Sequence, residues 1–154
     1  MTEQPPLPKY WEIRECKDYP GRCYFYNSLS GDSTWVRPVY PTPKNTMIYV
    51  SQILIKTEKS RKPETKNGPV TRTVEEGINQ LKEIREKIAI DKSKFPEIAN
   101  EVSDVDEKNG GDLGWIEYDD VPPQFAEAAW NLQLNELSDI VQTELGLHLI
   151  IRRQ

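Results

Sequence analysis

Apolar positions follow two distinct rhythms along this chain. Between Leu7 and Pro38 they are short and aromatic, with Tyr10 and Trp11, then Cys23-Tyr24-Phe25-Tyr26, then Thr34-Trp35. Turn residues at Asp18-Tyr19-Pro20-Gly21 and Ser30-Gly31-Asp32 separate these groups, so three short antiparallel strands joined by two turns are predicted. So short a unit buries little core, and its large aromatics must close the cluster, with Trp11 packed on Pro38 to tie the two ends together. Residues Val39 to Thr46 are polar and proline-bearing and read as a semi-rigid linker.

From Met47 the pattern lengthens. Met47 to Lys56 is a β-branched run that predicts a buried strand, followed by a basic loop. Thr73 with Glu76 three residues on makes a capping box, and Ile78, Leu81, Ile84 and Ile88 share one face, so a helix is predicted over about 73–90. Phe95, Ile98, Ala99 and Val102 repeat that spacing in a shorter helix. Asn109 to Asp112 reads as a turn, Leu113 to Tyr118 as a strand and Gln124 to Leu132 as a third helix. Ile140 to Thr143 and His148 to Arg152 form two strands around Gly146. Strands at both ends with helices between predict a mixed sheet covered by helices.

At 154 residues, 36% hydrophobic and 29% charged, the chain fits one ordinary domain or two small ones. No run approaches the roughly 18 apolar residues of a membrane span, and the first residues lack the basic and apolar regions of a signal peptide. Cys16 and Cys23, with His148 as the single histidine, do not make a four-ligand zinc site, so no metal or cofactor is expected and both thiols are read as free. The net charge of -5 is unevenly spread, with six basic against two acidic residues over 56–72 and eight against eighteen over 73–154. An acidic body with one short basic stretch argues against nucleic-acid binding, which needs a broad basic surface, and suits a small anion such as a phosphate.

The residues of the first segment, Leu7-Pro8 leading to Trp11-Glu12, then Tyr24-Phe25-Tyr26-Asn27, then Trp35-x-Arg37-Pro38, resemble a WW domain over nearly all of that family's length. The second segment is similar to a parvulin-type peptidyl-prolyl isomerase. The likeness rests on the basic loop, the helix rooted at Thr73, Ser103-Asp104, Gly111-Asp112-Leu113-Gly114, Phe125-x-x-Ala128 and Gly146-Leu147-His148-x-Ile150. Together these resemble the Pin-type and Ess-type isomerases directed to phosphorylated Ser/Thr-Pro sites. The implied organisation is an all-β WW domain over 5–39, a linker over 40–46 and an α+β parvulin domain over 47–154. A monomer in the nucleus and cytoplasm is implied, with phosphorylated Ser/Thr-Pro proteins and proline-containing peptides as partners, and neither nucleic acid nor membrane.

What the resemblance implies for the sites can be weighed residue by residue. A WW groove takes a preformed polyproline segment between a Tyr and a Trp, here Tyr24 and Trp35. In the phosphate-directed members the first loop adds a hydroxyl and a basic residue. Here that loop holds Arg14, Cys16 and Lys17, with Cys16 in the usual serine position and Glu15 and Asp18 weakening the local field. The parvulin phosphate loop matches Lys56, Arg61 and Lys62, and the apolar proline pocket matches Leu113, Val121 and Phe125. The polar active-site group departs from the family. Where a histidine, a cysteine or aspartate, a hydroxyl-bearing turn and a second histidine are expected, this chain has Gln52, Val105, Thr143 with Leu145, and His148. Alternation along a local strand would turn Asp104 and Asp106 away from the face of Val105. His148 has two readings, a buried hydrogen-bonded group or a direct participant.

Isomerisation lowers a rotational barrier and needs no bond broken, so reduced activity is expected from these changes. A hundredfold loss would correspond to about 2.7 kcal/mol. Two other readings stay open: a parvulin fold that binds phospho-Ser/Thr-Pro without turning it over, and a WW adaptor for unphosphorylated proline-rich ligands.

Overall fold

The computed structural model describes residues 7–38, 42–105 and 109–154. Asp106 and the linker residues 40 and 41 lie outside them. No helix among the described residues is long and apolar enough to cross a membrane.

The N-terminal unit is a three-stranded antiparallel sheet in the order β1-β2-β3, formed by β1 (Trp11–Glu15), β2 (Cys23–Asn27) and β3 (Ser33–Thr34). Both predicted turns form. At the first, Arg22 N–H donates to the Tyr19 carbonyl at 3.0 Å. At the second, fully buried Asn27 accepts the N–H groups of Leu29 and Ser30 on its side-chain oxygen at 2.8 and 3.0 Å. This is an Asx-type closure that explains why an asparagine ends the aromatic strand. Cys16 and Cys23 are not bonded to each other. Cys23 pairs with Glu15, which leaves the two sulfurs on opposite faces of the hairpin.

The second unit is built on a four-stranded sheet, ordered β7-β4-β9-β8, of β4 (Ile48–Ile55), β7 (Asp112–Ile116), β8 (Val141–Thr143) and β9 (Gly146–Arg152). The expected helix-covered sheet is antiparallel in each of its three strand pairs. β4 and β9 are central and covered on both faces, which is why their sequences read as continuous apolar runs. Ile53 and Ile55 of β4 pack, with Leu147, Leu149 and Ile151, under α1 (Val74–Ile90) and α2 (Phe95–Val102). Ile48 and Val50 point the other way, against α3 (Pro123–Trp130). The α1 capping box forms as predicted, with Glu76 N–H donating to Thr73 Oγ1 at 3.1 Å.

Three local expectations are corrected. The basic loop carries a small hairpin, β5 (Glu64–Thr65) with β6 (Gly68–Pro69), too short to leave a periodicity. The strand expected to run to Tyr118 ends at Ile116, and a 3-10 turn over Tyr118–Asp120 leads into α3, which starts at Pro123 and ends at Trp130. Ser103, Asp104 and Val105 form no strand: Asp104 N–H donates to the Leu54 carbonyl at 2.7 Å, but the facing N–H groups of Leu54 and Lys56 are taken by the side chains of Ser103 and Asp104 at 3.0 and 2.9 Å.

Candidate active site and anion loop

The floor of the site is set by β4 and the turn before β7. Gln52 N–H donates to the Gly111 carbonyl at 2.8 Å, and Gly111 takes a φ of +82° that lets its backbone lie against that of Gln52. Gln52, Val105 and Leu113 then line one cavity of about 190 Å³, with Asn109, Gly111 and Asp112 around its rim. Leu113 is the residue that bulges from the β4–β7 pairing, since Val50 pairs with Gly114 and Ser51 with Asp112. Val121 and Phe125, expected beside it, do not line that cavity: Phe125, on α3, is buried in the cluster against β4, and half-buried Val121 packs against the same cluster. Phe125 still reaches the site from below, its ring 5.2 Å from that of His148 in an edge-to-face arrangement.

His148 is buried, on β9. Its Nδ1 donates to Gln52 Oε1 at 2.7 Å, and its Nε2 lies 2.6 Å from Thr143 Oγ1. Leu145 N–H donates to the same hydroxyl at 3.1 Å. Burial pushes the imidazole down to about 4, so the ring is neutral at physiological pH. Gln52, Thr143 and His148 are thus brought into one chain, and Val105 shares the cavity with its Gln52 end.

The far end of β4 opens into the basic loop. Lys56 Nζ donates to the Glu64 carbonyl at 2.8 Å, which carries the ammonium beneath the β5–β6 hairpin. Lys56 and Lys62 line a cavity of about 260 Å³ together with Lys66, Glu64 and Thr65. Arg61 is held apart, its guanidinium 3.4 Å from the Glu144 carboxylate on the β8–β9 turn and its N–H bonded to the Glu144 carbonyl at 2.6 Å. The third cation in the cavity is therefore Lys66. Its only signal in the sequence was its place in the basic run, because nothing there showed that the loop folds back as a hairpin. Asp104 turns toward this loop and away from Val105, accepting from Lys56 N–H at 2.9 Å and Arg72 Nη1 at 3.0 Å.

In the N-terminal sheet, Cys16, Tyr24 and Trp35 line an open groove with Tyr26, Ser33 and Thr34. The Tyr24 and Trp35 rings stand edge to face at 6.1 Å. Arg14 is turned to Glu12 at 2.6 Å and lies 3.8 Å over the Tyr26 ring, while Lys17 is exposed in the loop. Two residues that sequence reasoning missed stand at Trp35: the Tyr19 ring at 6.2 Å and the Arg22 guanidinium at 4.2 Å over its face. No group of three or more His, Cys, Asp or Glu among the described residues is placed to hold a metal ion.

The family model of the PPIC-type peptidyl-prolyl isomerase domain, a rotamase, matches residues 53–154. The chain is a member of the parvulin family. A peptidyl-prolyl cis-trans isomerase, pin1, of Rhizopus delemar is 34% identical over 95% of this chain and 97% of that one. The ESS1 isomerase of Saccharomyces cerevisiae is 32% identical over 95% and 93%. Among solved structures, the ESS1 isomerase of Candida albicans superposes with a TM-score of 0.68 at 32% identity, covering 96% of both chains. This parvulin is thus a Pin-type peptidyl-prolyl cis-trans isomerase with a three-stranded N-terminal sheet. Glutamine and valine stand at positions 52 and 105, on the wall of one cavity.

Proposed function

We propose that this isomerase turns the bond preceding proline in phosphoserine-proline and phosphothreonine-proline segments, and that its N-terminal sheet is a WW domain that holds such segments. The observation that carries the reading is the placement of two cavities along β4. At one end Gln52, Val105 and Leu113 offer a small, largely apolar recess for a proline ring. At the other, Lys56, Lys62 and Lys66 gather around a space open to an anion. Four residue steps along the strand, about 13 Å, lead from Gln52 to Lys56, a span that a lysine side chain and a phosphoserine cross together.

The barrier to be lowered is about 18–20 kcal/mol for an ordinary peptide bond and somewhat less before proline. Holding the ring in an apolar recess while the phosphate is fixed lets the intervening peptide group rotate between two anchors, away from water. The groove of Tyr24 and Trp35 supports docking of a polyproline segment, and Lys17 with Arg22 supports a phosphate at its entrance. Domain limits of 5–39 and 47–154 joined by 40–46, action as a monomer, and work in the nucleus and cytoplasm complete the proposal.

The test is NMR exchange spectroscopy on a phosphoserine-proline peptide and its unmodified twin with catalytic amounts of the full chain. Cis and trans signals that exchange within about a second, against tens to hundreds of seconds uncatalysed, with preference for the phosphorylated peptide, are expected. The double reversal Lys62→Glu and Lys66→Glu should abolish that preference. Shifted signals without exchange would make the parvulin fold here a reader of phosphopeptides.

A further inference from the structure

The hydrogen bonds around His148 have a direction. Gln52 Oε1 is a carbonyl oxygen and only accepts, so the ring proton sits on Nδ1. In a neutral ring Nε2 then carries a lone pair and accepts from the Thr143 hydroxyl. That hydroxyl in turn accepts from Leu145 N–H. The chain therefore runs Leu145, Thr143, His148, Gln52, and each donor along it is spent on the next acceptor. At its end the Gln52 oxygen is occupied, which leaves the NH2 group as the donor of that amide, and Gln52 lines the cavity it shares with Val105 and Leu113. The Gly111 contact to the Gln52 backbone fixes that end of the chain. Polarisation along such a chain strengthens the terminal donor.

A twisted peptide bond has a specific need. As the bond before proline rotates out of plane, conjugation is lost, charge leaves the carbonyl oxygen and a lone pair localises on the proline nitrogen. A donor to the oxygen would favour the planar ground state. A donor to the nitrogen is stronger in the transition state and accelerates rotation. We propose that Gln52 is a catalytic residue of this isomerase, its side-chain NH2 donating a hydrogen bond to the proline nitrogen as that nitrogen becomes pyramidal. The inference rests on the reading that the proline ring occupies the Gln52, Val105 and Leu113 cavity. It gives the glutamine a positive role in place of a lost histidine, and the work requires no group to gain or lose a proton.

The full chain with Gln52→Met, which has no donor, and with Gln52→Glu, which keeps an acceptor toward His148 but loses the NH2, separates the roles. Exchange spectroscopy gives turnover, titration of the phosphopeptide gives affinity, and thermal unfolding checks the fold. Turnover is expected to fall tenfold or more in both variants, with the dissociation constant changed less than threefold. The ring nitrogen shifts of His148 should show the proton on Nδ1. Variants that turn over at the parent rate overturn the proposal, as does a proton on Nε2, because the Gln52 amide nitrogen would then be spent on the ring. Loss of affinity for the phosphopeptide in step with turnover would place the failure in the cavity assignment itself. A parent protein that binds without exchange would overturn both.

Discussion

Asp104 and Arg72 meet at 3.0 Å across the root of the basic loop, and between them they hold both backbone groups of Lys56. The carboxylate accepts from Lys56 N–H and Arg72 Nη1 donates to the Lys56 carbonyl at 2.7 Å, so β4 delivers Lys56 to the lysine-lined cavity at a fixed angle. Both side chains are mostly shielded from water, which makes their loss more costly than that of a surface pair. Asp104→Ala should lower stability by about 1–3 kcal/mol and weaken phosphopeptide binding tenfold, with the unmodified peptide unaffected. Urea unfolding and parallel titrations of the two peptides check both halves.

Gly111 is the second support. A Cβ there would sit 2.3 Å from the Gln52 carbonyl oxygen, and its φ of +82° is one that other residues adopt at a cost. Gly111→Ala must move the turn or the strand. A loss of at least about 2 kcal/mol is expected, with turnover falling further than stability alone explains because Gln52 is displaced. Thermal unfolding together with exchange rates measured well below the transition separates the two effects.

The elements that position the site were largely legible in the sequence because their signals are local. The apolar run of β4, the Thr73 and Glu76 box and the double glycine before Asp112 each state a conformation within a few residues. The site's partners were legible only by resemblance, since Gln52 and His148 are 96 positions apart and meet through the β4–β9 register. Where the sequence reading strayed, the chain had no period to read. Alternation about Val105 presupposed a strand that is not there, and the facing of Asp104 is set instead by Lys56 N–H and Arg72, both of which donate to its carboxylate. Arg61, grouped with Lys56 and Lys62 by the family resemblance, stands outside the cavity those two line, its exposed guanidinium 3.4 Å from the carboxylate of Glu144, 83 residues away. Lys66 entered the cavity through a hairpin of two-residue strands.

In the N-terminal sheet, Trp35 is about half exposed and is contacted by Tyr19, Tyr24 and Arg22. Its exposed ring is then free to act as the groove wall, and removing it costs little core. Trp35→Ala in the full chain should weaken binding of a proline-rich peptide by tenfold or more while leaving turnover of a short phosphoserine-proline peptide within twofold. Arg22→Ala, which leaves the ring and removes the cation over it, should selectively weaken the phosphorylated form. Fluorescence titration and exchange spectroscopy on the same samples test this division of labour. Equal losses in both assays would contradict it.

His148 supplies a pH test with a definite sign. Its folded value of about 4 lies below the ordinary 6.5 because burial disfavours the charged ring. Between those values the unfolded chain binds a proton that the folded chain refuses, so stability rises with pH across that window and is fully present above about pH 6.5. At pH 5 the loss from this group is about 2 kcal/mol. Because the chain has a single histidine, the contribution can be isolated. The difference in unfolding free energy between pH 7.5 and 5 should be smaller in His148→Gln than in the parent by about that amount. The ring proton signals of the parent should stay fixed from pH 8 to 5. Turnover of a glutamate-proline peptide, which carries no phosphate to titrate near pH 6, should be level over the same range, because the neutral ring is the form that holds Gln52. A ring that titrates near 6.5 would mean that water reaches it and that the directed chain to Gln52 does not persist in solution.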